Sequence, residues 1–481
     1  MTSPSLLIGG EWVDAHAGER EKVTSPYNGD VVGEVALGRP ADATRAIDAA
    51  VLGFETWRRT PAHARFAILT KAAQFADERA EEIAHIISSE NGKSLVEARG
   101  EAGRSGDIIR LAAFEGSQLY GESLPLDANK GTGFDKIGFT IRQPVGVVVA
   151  ISPFNYPALL VLHKIAPALA AGNSVVLKPA RATPLTALAL AQCFVDAGLP
   201  AGVLNVVTGG GADLGDTLVR DSRVRKISFT GSTAVGEHIA SIAGVKKLSL
   251  ELGASGPVIV MDDADIDAAT SSIALGGYIN AGQVCISAQR IIVAESIVGD
   301  FLDALTPKVN AIRVGDPFGD GIAVGGLISR AEADRVRTSI TDAVKDGATL
   351  VTGGDQDGSV ITPAIVANVD PYSAFAQDEL FGPAVAVSTA RDIGHAIELA
   401  NSTAYGLGAG IFTNNLANSI RAIRDIESGV VHVNWTQLWR ADLMPYGGFK
   451  ASGIGKEGPR SAIDEMTEVK TVILHGTPWN N

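Results

Sequence analysis

The sequence predicts an α/β protein with two doubly wound parallel sheets and one small additional sheet. Segments that read alternately as strands and helices run from Val145 to Leu250 and again from Pro257 to Asn434. The first strand, Val145–Ile151, is an unbroken apolar run, as is typical of a strand buried on both faces. At 481 residues the chain exceeds the size at which a single core stops growing, so two or more domains are expected.

Composition restricts the class of partner and the compartment. The net charge of −14 argues against nucleic acid or an anionic membrane as the main partner, because neither attracts such a surface. Only Cys193 and Cys285 are present, which excludes a disulfide framework and favours a reducing compartment. The segment Met1–Asp14 lacks a secretory signal pattern, and no apolar run approaches the roughly 20 residues of a membrane span. A cytoplasmic protein is predicted.

The amino-terminal third is predicted to be mainly helical after a region of short strands and turns, Met1–Gly38. Apolar residues at helical spacing predict helices over Asp42–Arg58, Pro61–Asn91 and Leu95–Glu115. The next segment, Leu124–Gln143, has alternating polar residues around a glycine-containing turn, which predicts a protruding hairpin.

Two strand–helix alternations follow, joined near Gly253–Gly256. In the first, strands are predicted at Val145–Ile151, Ser174–Leu177, Val203–Val207, Lys226–Phe229 and Lys247–Leu250, with helices at Leu159–Ala171, Pro184–Ala197, Asp213–Arg220 and Ala234–Ala243. In the second, strands are predicted at Pro257–Met261, Gln289–Ala294, Ala348–Thr352, Pro383–Thr389 and Val430–Asn434. A late strand, Val469–Leu474, is predicted to pair either with the Leu124–Gln143 hairpin or with another subunit's edge.

The two cysteines have different surroundings in the sequence. Cys285 lies in the loop-like stretch Ala281–Ser287, where a turn beside a helix end can favour the nucleophilic thiolate. The alternative, a small buried core residue, is equally open at this point. Cys193 lies on the apolar face of a predicted helix and is interpreted as a core residue.

Three strand ends carry polar residues that suit a nucleotide or an oxyanion. Phe229–Thr233 joins a strand to a helix through Gly231, which predicts either a phosphate site or a serine N-cap. Asn155, between two prolines, is either a turn former or a hydrogen-bond donor to a developing oxyanion. Lys178 is either a solvated strand end or a cation for a nucleotide.

Two glutamates stand among apolar residues and glycines, where a carboxylate is costly unless it is used. Burial of Glu251 and Glu379 is expected to raise their pKa values towards the range of a general base. The alternative for each is a carboxylate paired with backbone amides.

Taken together, these segments resemble the aldehyde dehydrogenase superfamily. Each motif is weak alone, but the set occurs in the family's order and covers the chain from about Gly9 to Val472. The matching segments are Pro153-Phe154-Asn155, Lys178-Pro179-Ala180, Phe229-Thr230-Gly231-Ser232, Glu251-Leu252-Gly253, Gly282-Gln283-Val284-Cys285, Glu379-Leu380-Phe381-Gly382-Pro383, Pro445-Tyr446-Gly447-Gly448-Phe449-Lys450 and Ser452-Gly453. The branch it looks most like acts on lactaldehyde, glyceraldehyde phosphate (non-phosphorylating), succinate semialdehyde and aromatic aldehydes.

The resemblance implies the aldehyde dehydrogenase fold and a covalent mechanism. Cys285 would attack the aldehyde, Asn155 would hold the oxyanion, and Glu251 would activate the water that hydrolyses the thioester. Lys164 and Glu457 would relay protons with this base. The cofactor-binding positions it implies are Ser152, Pro153, Phe154, Lys178, Ala180, Arg181, Gly211, Phe229, Thr230, Gly231, Ser232, Leu252, Gly253, Glu379 and Phe381. No metal is implied.

The expected reaction is oxidation of an aldehyde to the free acid with reduction of NAD or NADP. Relatives that pass the acyl group to coenzyme A lack the base found here as Glu251, so hydrolysis is favoured. Two alternatives stay open, namely acyl transfer to coenzyme A and a catalytically silent binding or structural protein on the same scaffold.

Two departures from the family pattern concern specificity. Arg181 stands where NAD-preferring relatives often have glutamate, which favours NADP because an arginine can bind a 2′-phosphate. The alternative is that Arg181 points to solvent and that NAD is used. His163 occupies a tunnel position that is often aromatic. Cationic Arg110 and Arg440 would favour an anionic aldehyde, with a structural ion pair as the equal alternative for Arg440. The positions expected to contact substrate are Asn155, Tyr156, His163, Arg110, Ile286 and Arg440.

The resemblance also divides the chain. Residues 1–123 and 144–253 are expected to form a Rossmann-like cofactor-binding domain, and residues 254–453 a catalytic domain. Residues 124–143 and 465–481 are expected to form an oligomerisation arm, which implies a homodimer or homotetramer.

Overall fold

The computed structural model describes residues 5–476, which contain two large β-sheets and one three-stranded sheet, with helices packed against the large sheets. The predicted α/β class with two parallel-sheet units is confirmed. Residues 1–4 and 477–481, which belong to the predicted cofactor domain and arm, lie outside the described residues.

The first large sheet has eight strands. In spatial order they are Glu11–Val13, Leu6–Ile8, Leu204–Val206, Ser174–Lys178, Val147–Ile151, Val224–Thr230, Lys247–Glu251 and Gly453–Ile454. The five middle strands are mutually parallel, and the strands outside them pair antiparallel. The chain changes direction across the sheet between Val147–Ile151 and Val224–Thr230. Such a switch point opens a crevice at the carboxyl ends of the strands, where ligands bind.

The second large sheet has seven strands, two of which were not predicted. In spatial order they are Thr349–Thr352, Ala364–Ala367, Ala384–Ala390, Arg290–Ala294, Pro257–Val260, Gly408–Phe412 and Val430–Val433. All neighbours are parallel except the first pair.

The unpredicted strands are Ala364–Ala367 and Gly408–Phe412. The second is fully buried, yet its glycines give it a low intrinsic strand propensity. The glycines are needed because a Cβ on Gly408 would meet the Gln437 side chain. The formation of this strand therefore depends on close packing against a segment distant in the sequence, and the local sequence pattern does not predict it.

The small sheet joins the predicted hairpin to the late strand. Thr467–His475 pairs antiparallel with Lys136–Pro144 over their whole lengths, and Ser123–Leu124 lies on the other side. Of the two partners predicted for the late strand, the chain's own hairpin is the one observed. The free edge of Thr467–His475 has no partner strand within residues 5–476.

The helices follow the predicted stripes but break more often than predicted. The single helix expected over Pro61–Asn91 is wrong, since the chain leaves helical geometry at Arg79 (φ −102°, ψ 10°). The run Leu95–Glu115 also divides, at Gly103–Arg104, and the helix predicted over Asp213–Arg220 begins with a π-helical turn, Gly211–Gly215. The helices are Pro40–Trp57, Ala62–Glu78, Ala80–Asn91, Leu95–Ala102, Ser105–Ser117, Leu159–Ala170, Pro184–Asp196, Asp216–Arg220, Thr233–Ile242, Ile266–Gly276, Val298–Asn310, Arg330–Lys345, Ala374–Gln377, Ile393–Asn401, Leu416–Asp425 and Pro459–Glu465.

Each large sheet has its own apolar core. Cys193 is fully buried in the core on one face of the first sheet, beside Phe194, which confirms its interpretation as a core residue. None of the helices between residues 5 and 476 is both long and apolar enough to cross a membrane.

Candidate active site

The candidate site lies where the carboxyl ends of the first sheet meet the loop that carries Cys285. Strand Val147–Ile151 leads into the turn of Asn155, and strand Lys247–Glu251 ends on Glu251. Both side chains are buried, at 3% exposure each. The sheet topology therefore brings an amide and a carboxyl group to the same crevice.

The loop before Cys285 has an unusual backbone. Asn280, Ala281 and Gly282 have φ values of 51°, 55° and 70°, in the left-handed region. For a non-glycine residue this conformation costs on the order of 1–3 kcal/mol. The Asn280 backbone N–H donates to Glu97 Oε1 (2.8 Å), and its side-chain Nδ2 donates to the Asn155 carbonyl (3.0 Å). These contacts hold the strained turn in place beside the oxyanion candidate.

Cys285 is partly exposed and packs against a small apolar cluster that includes Val284 and Ile286. Its Sγ lies 2.9 Å from the hydroxyl oxygen of Tyr446. Burial raises the pKa of the Cys285 thiol to about 12, while the contact with Tyr446 acts to lower it. Cys193 also contacts one polar side chain, since Arg79 Nη1 lies 3.8 Å from its Sγ, but that sulfur is fully buried whereas Cys285 is partly exposed.

Asn155 is held from both its side chain and its backbone. Its Nδ2 donates to the carbonyl of Gln283 (2.9 Å), two residues before Cys285. Its own carbonyl accepts from Lys93 Nζ (2.7 Å), and Lys93 also pairs with Glu101 (2.7 Å), both side chains being fully buried. One of the two amide hydrogens is engaged by Gln283, so the second remains for a ligand oxygen.

Glu251 is a buried carboxyl group without a counter-charge in hydrogen-bonding range. Neither of its oxygens has a hydrogen-bond partner among the described residues. Burial, followed by the charge of Glu457, raises the pKa of Glu251 well above its usual range. A Cβ on Gly447 would meet Glu251 Oε1, so glycine at that position leaves room for the carboxyl group. The alternative of a carboxylate paired with backbone amides is not what the structure shows for Glu251.

Beside it lies a buried ion pair. Lys164 Nζ contacts Glu457 Oε1 and Thr230 Oγ1, both at 2.6 Å. Although burial opposes it, the charges of Lys164 and Arg440 keep the pKa of Glu457 below its usual range. The two glutamates therefore differ in pairing and in the direction of their pKa shifts. Glu457 is ionised and paired with Lys164, whereas Glu251 is unpaired.

Arg440 supplies a nearly buried positive charge above this pair. Its guanidinium carbon lies 3.9 Å from the ring centroid of Tyr446, and its Nη2 lies 3.8 Å from Glu457 Oε2, too far for a hydrogen bond. Within residues 5–476, Arg440 Nε and Nη2 are buried without a hydrogen-bond partner. The guanidinium thus has donors left over.

The other predicted substrate residues are engaged by protein groups. His163 Nε2 lies 3.3 Å from Asp442 Oδ1, and Arg104 binds the same carboxylate. Burial, then the charge of Arg440, lowers the pKa of His163, which is therefore neutral. Arg110 pairs with Asp77 (2.6 Å) and Asp107 (2.7 Å) on the surface. Tyr156 lies under Lys93, whose Nζ is 3.8 Å from the ring centroid.

At the opposite side of the crevice, Lys178 ends its strand and is only 5% exposed. Burial, and then the charge of Arg181, lowers the pKa of Lys178 to about 8. Among the described residues, the hydrogen bond that its Nζ makes is to the next carbonyl, Pro179 O (3.3 Å). Arg181 is largely exposed and donates from Nε to Glu21 Oε1 (2.7 Å). An anion would relieve the unpaired charge of Lys178.

A helix N-terminus faces the same crevice. Ser232 is the N-cap residue of helix Thr233–Ile242, but its side chain makes no capping hydrogen bond. The serine N-cap alternative therefore lacks its hydrogen bond, and the first N–H groups of the helix stay open to an anion. Ser152 Oγ, after the neighbouring strand, is also buried without a partner in the described part of the chain.

Glu379 lies beside the joint between the two units. Its Oε1 accepts from the Ala254 N–H (3.0 Å), and burial raises its pKa to about 7. A backbone amide thus pairs one oxygen of Glu379. Phe381, at φ 49°, packs edge-on against Phe154 with ring centroids 5.9 Å apart.

The remaining predicted cofactor residues lie on the same strand ends. Pro153 and Phe154 follow strand Val147–Ile151, and Ala180 follows Lys178. Gly211 opens the π-helical turn. Phe229, Thr230 and Gly231 end strand Val224–Thr230, and Leu252 and Gly253 follow Glu251. The unpaired lysine, the uncapped helix and the orphaned Ser152 hydroxyl fit a nucleotide cofactor with anionic groups.

Several residues of the site were not predicted. Lys93, Glu101 and Glu97 are charged groups inside or next to helices, where sequence suggests solvated faces. Tyr446 stands in a glycine-rich segment that matches the family pattern, but its side chain was given no role in the sequence analysis. The polar character of Lys93-Ser94 after the stop at Gly92 is the only local signal, and it does not point to Asn155.

Comparison with known proteins gives a consistent picture. Residues 12–472 match the aldehyde dehydrogenase family. The chain is similar to a 3-sulfolactaldehyde dehydrogenase of Priestia aryabhattai, with 42% identity over 471 residues that cover 98% of this chain and 98% of the relative.

Two solved structures show the same fold. An NADP-dependent glyceraldehyde-3-phosphate dehydrogenase from Bacillus halodurans C-125, complexed with NADP, has a TM-score of 0.97 and 36% identity, covering 99% of this chain and 100% of that one. A betaine aldehyde dehydrogenase from Staphylococcus aureus, in complex with NAD+, has a TM-score of 0.95 and 32% identity, covering 100% of this chain and 97% of that one.

Proposed function

The chain belongs to the aldehyde dehydrogenase family, and from that premise we propose how its own residues oxidise an aldehyde to a carboxylic acid. It is an NAD(P)-dependent aldehyde dehydrogenase, as the motifs predicted. Acyl transfer to coenzyme A and a silent scaffold are not favoured. The observation that carries the residue assignment is the convergence of Cys285, Asn155 and Glu251 at one crevice.

Cys285 is the nucleophile. After its thiol has lost a proton to solvent water, Sγ forms a bond to the aldehyde carbon, and the carbonyl π electrons move to the oxygen. The second amide hydrogen of Asn155 and the Cys285 backbone N–H stabilise this oxyanion. Support comes from the Asn155 hydrogen bond to Gln283, which ties the amide to the nucleophile loop at 2.9 Å.

The cofactor is held at the carboxyl ends of the first sheet. Lys178 and the N-terminus at Ser232 bind its ribose and phosphate groups, and Glu379 binds the ribose beside the reactive ring. The oxidised nicotinamide, when bound, would supply the hydride acceptor for the substrate carbon, and Cys285 would then hold the acyl group as a thioester. Support comes from the unpaired Lys178 and the uncapped helix.

Glu251 is the base for hydrolysis. It takes a proton from water while the water oxygen attacks the thioester carbon, and the C–S bond then breaks to release the acid. Its raised pKa makes Glu251 a stronger proton acceptor than an exposed carboxylate. Lys164 and Glu457, in contact at 2.6 Å, form the relay by which the proton leaves.

The substrate is an anionic aldehyde. Arg440 has two buried N–H groups without partners among residues 5–476, and an uncompensated buried donor is costly unless a ligand accepts from it. Sulfolactaldehyde and glyceraldehyde 3-phosphate, named for two of the relatives, both carry such an anion. His163, Tyr156 and Ile286 form the neutral walls near this charge. Arg110 does not bind the substrate anion inside the site, since it is already paired with two aspartates at the surface, where the substrate enters.

NADP is favoured over NAD as the cofactor used by this chain. Lys178 and Arg181 are close enough for each charge to act on the other, and together they can share a 2′-phosphate. Arg181 must then exchange Glu21 for the phosphate, so the preference is modest.

The sheets support the predicted division of the chain. Residues 1–123 and 144–253 form the cofactor domain, 254–453 the catalytic domain, and 124–143 with 465–481 an oligomerisation arm. The open edge of Thr467–His475 and its exposed Val469, Ile473 and Leu474 suit pairing in a homodimer or homotetramer. The unpaired thiols of Cys193 and Cys285 suit a reducing cytoplasm.

A reduction assay over a panel of aldehydes tests the function. NAD or NADP reduction is followed with anionic and matched neutral aldehydes, with and without coenzyme A. We expect turnover without coenzyme A, free acid as product, and a lower KM for the anionic member of each pair. An acyl-coenzyme A product, or a requirement for coenzyme A, contradicts hydrolysis by Glu251.

A further inference from the structure

The phenol of Tyr446 is placed on the nucleophile by a rigid segment. Its hydroxyl oxygen lies 2.9 Å from Cys285 Sγ, and its side chain is buried. Two backbone hydrogen bonds join Tyr446 to Glu457, N to O at 3.0 Å in one direction and 2.6 Å in the other. The residue that presents the hydroxyl is therefore fixed to the proton relay and does not sit on a free loop.

The face of the same ring carries a positive charge. The guanidinium carbon of Arg440 lies 3.9 Å from the Tyr446 ring centroid. A cation on the face withdraws electron density from the ring, which makes the phenol O–H a stronger hydrogen-bond donor. Low exposure of both groups strengthens this effect because water does not screen it.

Several charges act on the Cys285 thiol, and they do not agree in sign. Glu251 and Glu379 oppose ionisation of the thiol, whereas Arg440 favours it. Burial and the nearby thiol keep the pKa of the Tyr446 hydroxyl well above its usual range, so it keeps its proton. A thiolate can only accept a hydrogen bond, and a protonated phenol at this distance can donate one.

We propose that Tyr446 is a catalytic residue whose phenolic O–H donates a hydrogen bond to the Cys285 thiolate. Arg440, which lies on the face of the Tyr446 ring, strengthens this hydrogen bond. The proposal rests on the assignment of Cys285 as the nucleophile. Tyr446 keeps its proton throughout, and the proton that Cys285 loses passes to solvent water, which the partly exposed thiol can reach. As the C–S bond forms, the sulfur loses its charge and Tyr446 loses its acceptor.

The donation has two opposing effects on rate. It makes the thiolate more abundant at a given pH, but it also makes each thiolate less nucleophilic. Loss of a hydrogen bond to a charged group is expected to reduce the ionisation constant of the thiol roughly tenfold. Because the nucleophilicity of a thiolate rises with the pKa of its thiol, with a Brønsted slope of about 0.4–0.5, the rate constant of each remaining thiolate should increase about threefold. Below the midpoint the net rate should fall about three- to fourfold.

The test uses alkylation of a single thiol. In a Cys193→Ala background Cys285 is the only thiol, and iodoacetamide without cofactor reports its thiolate, because sulfur displaces iodide as the thiol proton passes to buffer. Alkylation rates are measured against pH for this parent and for Tyr446→Phe. Modification at Cys285 is verified by peptide mass, and the loss of aldehyde oxidation is followed in parallel.

The matched control is Tyr278→Phe. Tyr278 is also a buried phenol in the same unit, but its hydroxyl donates to the Ala364 carbonyl (2.9 Å) instead of contacting the thiol. Tyr278→Phe should lower the free energy of unfolding but leave the pH dependence of the alkylation rate unchanged. Tyr446→Phe should move the profile up by about one pH unit and reduce the rate below the midpoint three- to fourfold.

Two results overturn the proposal. An unchanged profile in Tyr446→Phe means that the phenol does not donate to the thiolate. A profile moved to lower pH means that the thiol donates to the phenol instead. Failure of the nucleophile assignment looks different, since alkylated Cys285 in the parent would then leave aldehyde oxidation intact.

Discussion

The surroundings of the two cysteines differ although burial acts on both in the same way. Burial raises the pKa of Cys193 to about 11 and that of Cys285 to about 12. Cys193 lies in a helix within an apolar core, with its Sγ 3.5 Å from the Ala189 carbonyl. Cys285 lies on a strained loop within reach of Tyr446. The two sulfurs therefore differ both in exposure and in the groups that face them, because Cys193 is fully buried beside Arg79 whereas Cys285 is partly exposed beside Tyr446.

The strongest test of this comparison replaces each cysteine. Cys285→Ala should reduce aldehyde oxidation by roughly three orders of magnitude or more, as for loss of a covalent nucleophile, while cofactor binding persists. Cys193→Ala should keep activity within about twofold and lower the free energy of unfolding by about 1 kcal/mol. Steady-state rates, cofactor titration and urea unfolding measure these effects. Comparable activity in the two variants ends the covalent assignment.

The second test extends the comparison to the two buried glutamates near Cys285. Glu251→Gln should leave attack and hydride loss intact but slow deacylation about 10²–10⁴-fold, the usual range for a general base. A burst of about one equivalent of reduced cofactor per site should therefore precede slow turnover. Rapid-mixing absorbance measures the burst. Steady-state turnover equal to wild type rules out Glu251 as the deacylating base.

Glu457→Gln is the matched variant for stability. Because it leaves Lys164 buried and unpaired, it should cost about 3–5 kcal/mol of unfolding free energy. Glu251→Gln removes a carboxyl group that has no partner, so it should cost little or stabilise the fold. Equal losses in the two variants contradict the view that only Glu457 is paired.

A smaller effect is expected at the substrate end. Arg440→Gln should raise KM for an anionic aldehyde roughly 10- to 150-fold relative to its neutral counterpart, as for loss of a hydrogen bond to a charged group. Any effect through Tyr446 on the thiol should change kcat for both substrates alike. Arg110→Gln, already paired by two aspartates, should change the KM ratio less than twofold. If Arg110→Gln changes the KM ratio as much as Arg440→Gln does, binding of the substrate anion does not depend specifically on Arg440.

The smallest effect is expected at the cofactor end. Arg181→Glu should raise the KM for NADP up to roughly tenfold and leave NAD unchanged or improved, since an exposed guanidinium gains little from a phosphate. Glu21→Gln frees Arg181 from its partner and should lower the KM for NADP. If the wild type prefers NAD widely and neither variant changes either constant, Arg181 is a surface residue.

Part of the site could be predicted because its residues follow local patterns. Lys178, Glu251 and Ser232 come directly after apolar strand segments, and parallel strands present such residues at one edge. The strand Gly408–Phe412 could not be predicted, because Gly408 is required by its close contact with the Gln437 side chain, which is distant in the sequence. The break at Arg79 was missed because the apolar stripe continues through it.

The sequence by itself determined the two-sheet architecture, the burial of Cys193 and the set of motifs that identify the family. Each depends on residues close together in the chain, where periodicity and spacing carry the information. Only the tertiary structure decided that Tyr446 faces Cys285, 161 residues away, and that Arg440 keeps unpaired donors above it. Contacts of that range are made by chain folding, and the identity of a residue does not specify its partner until the sheets have placed both.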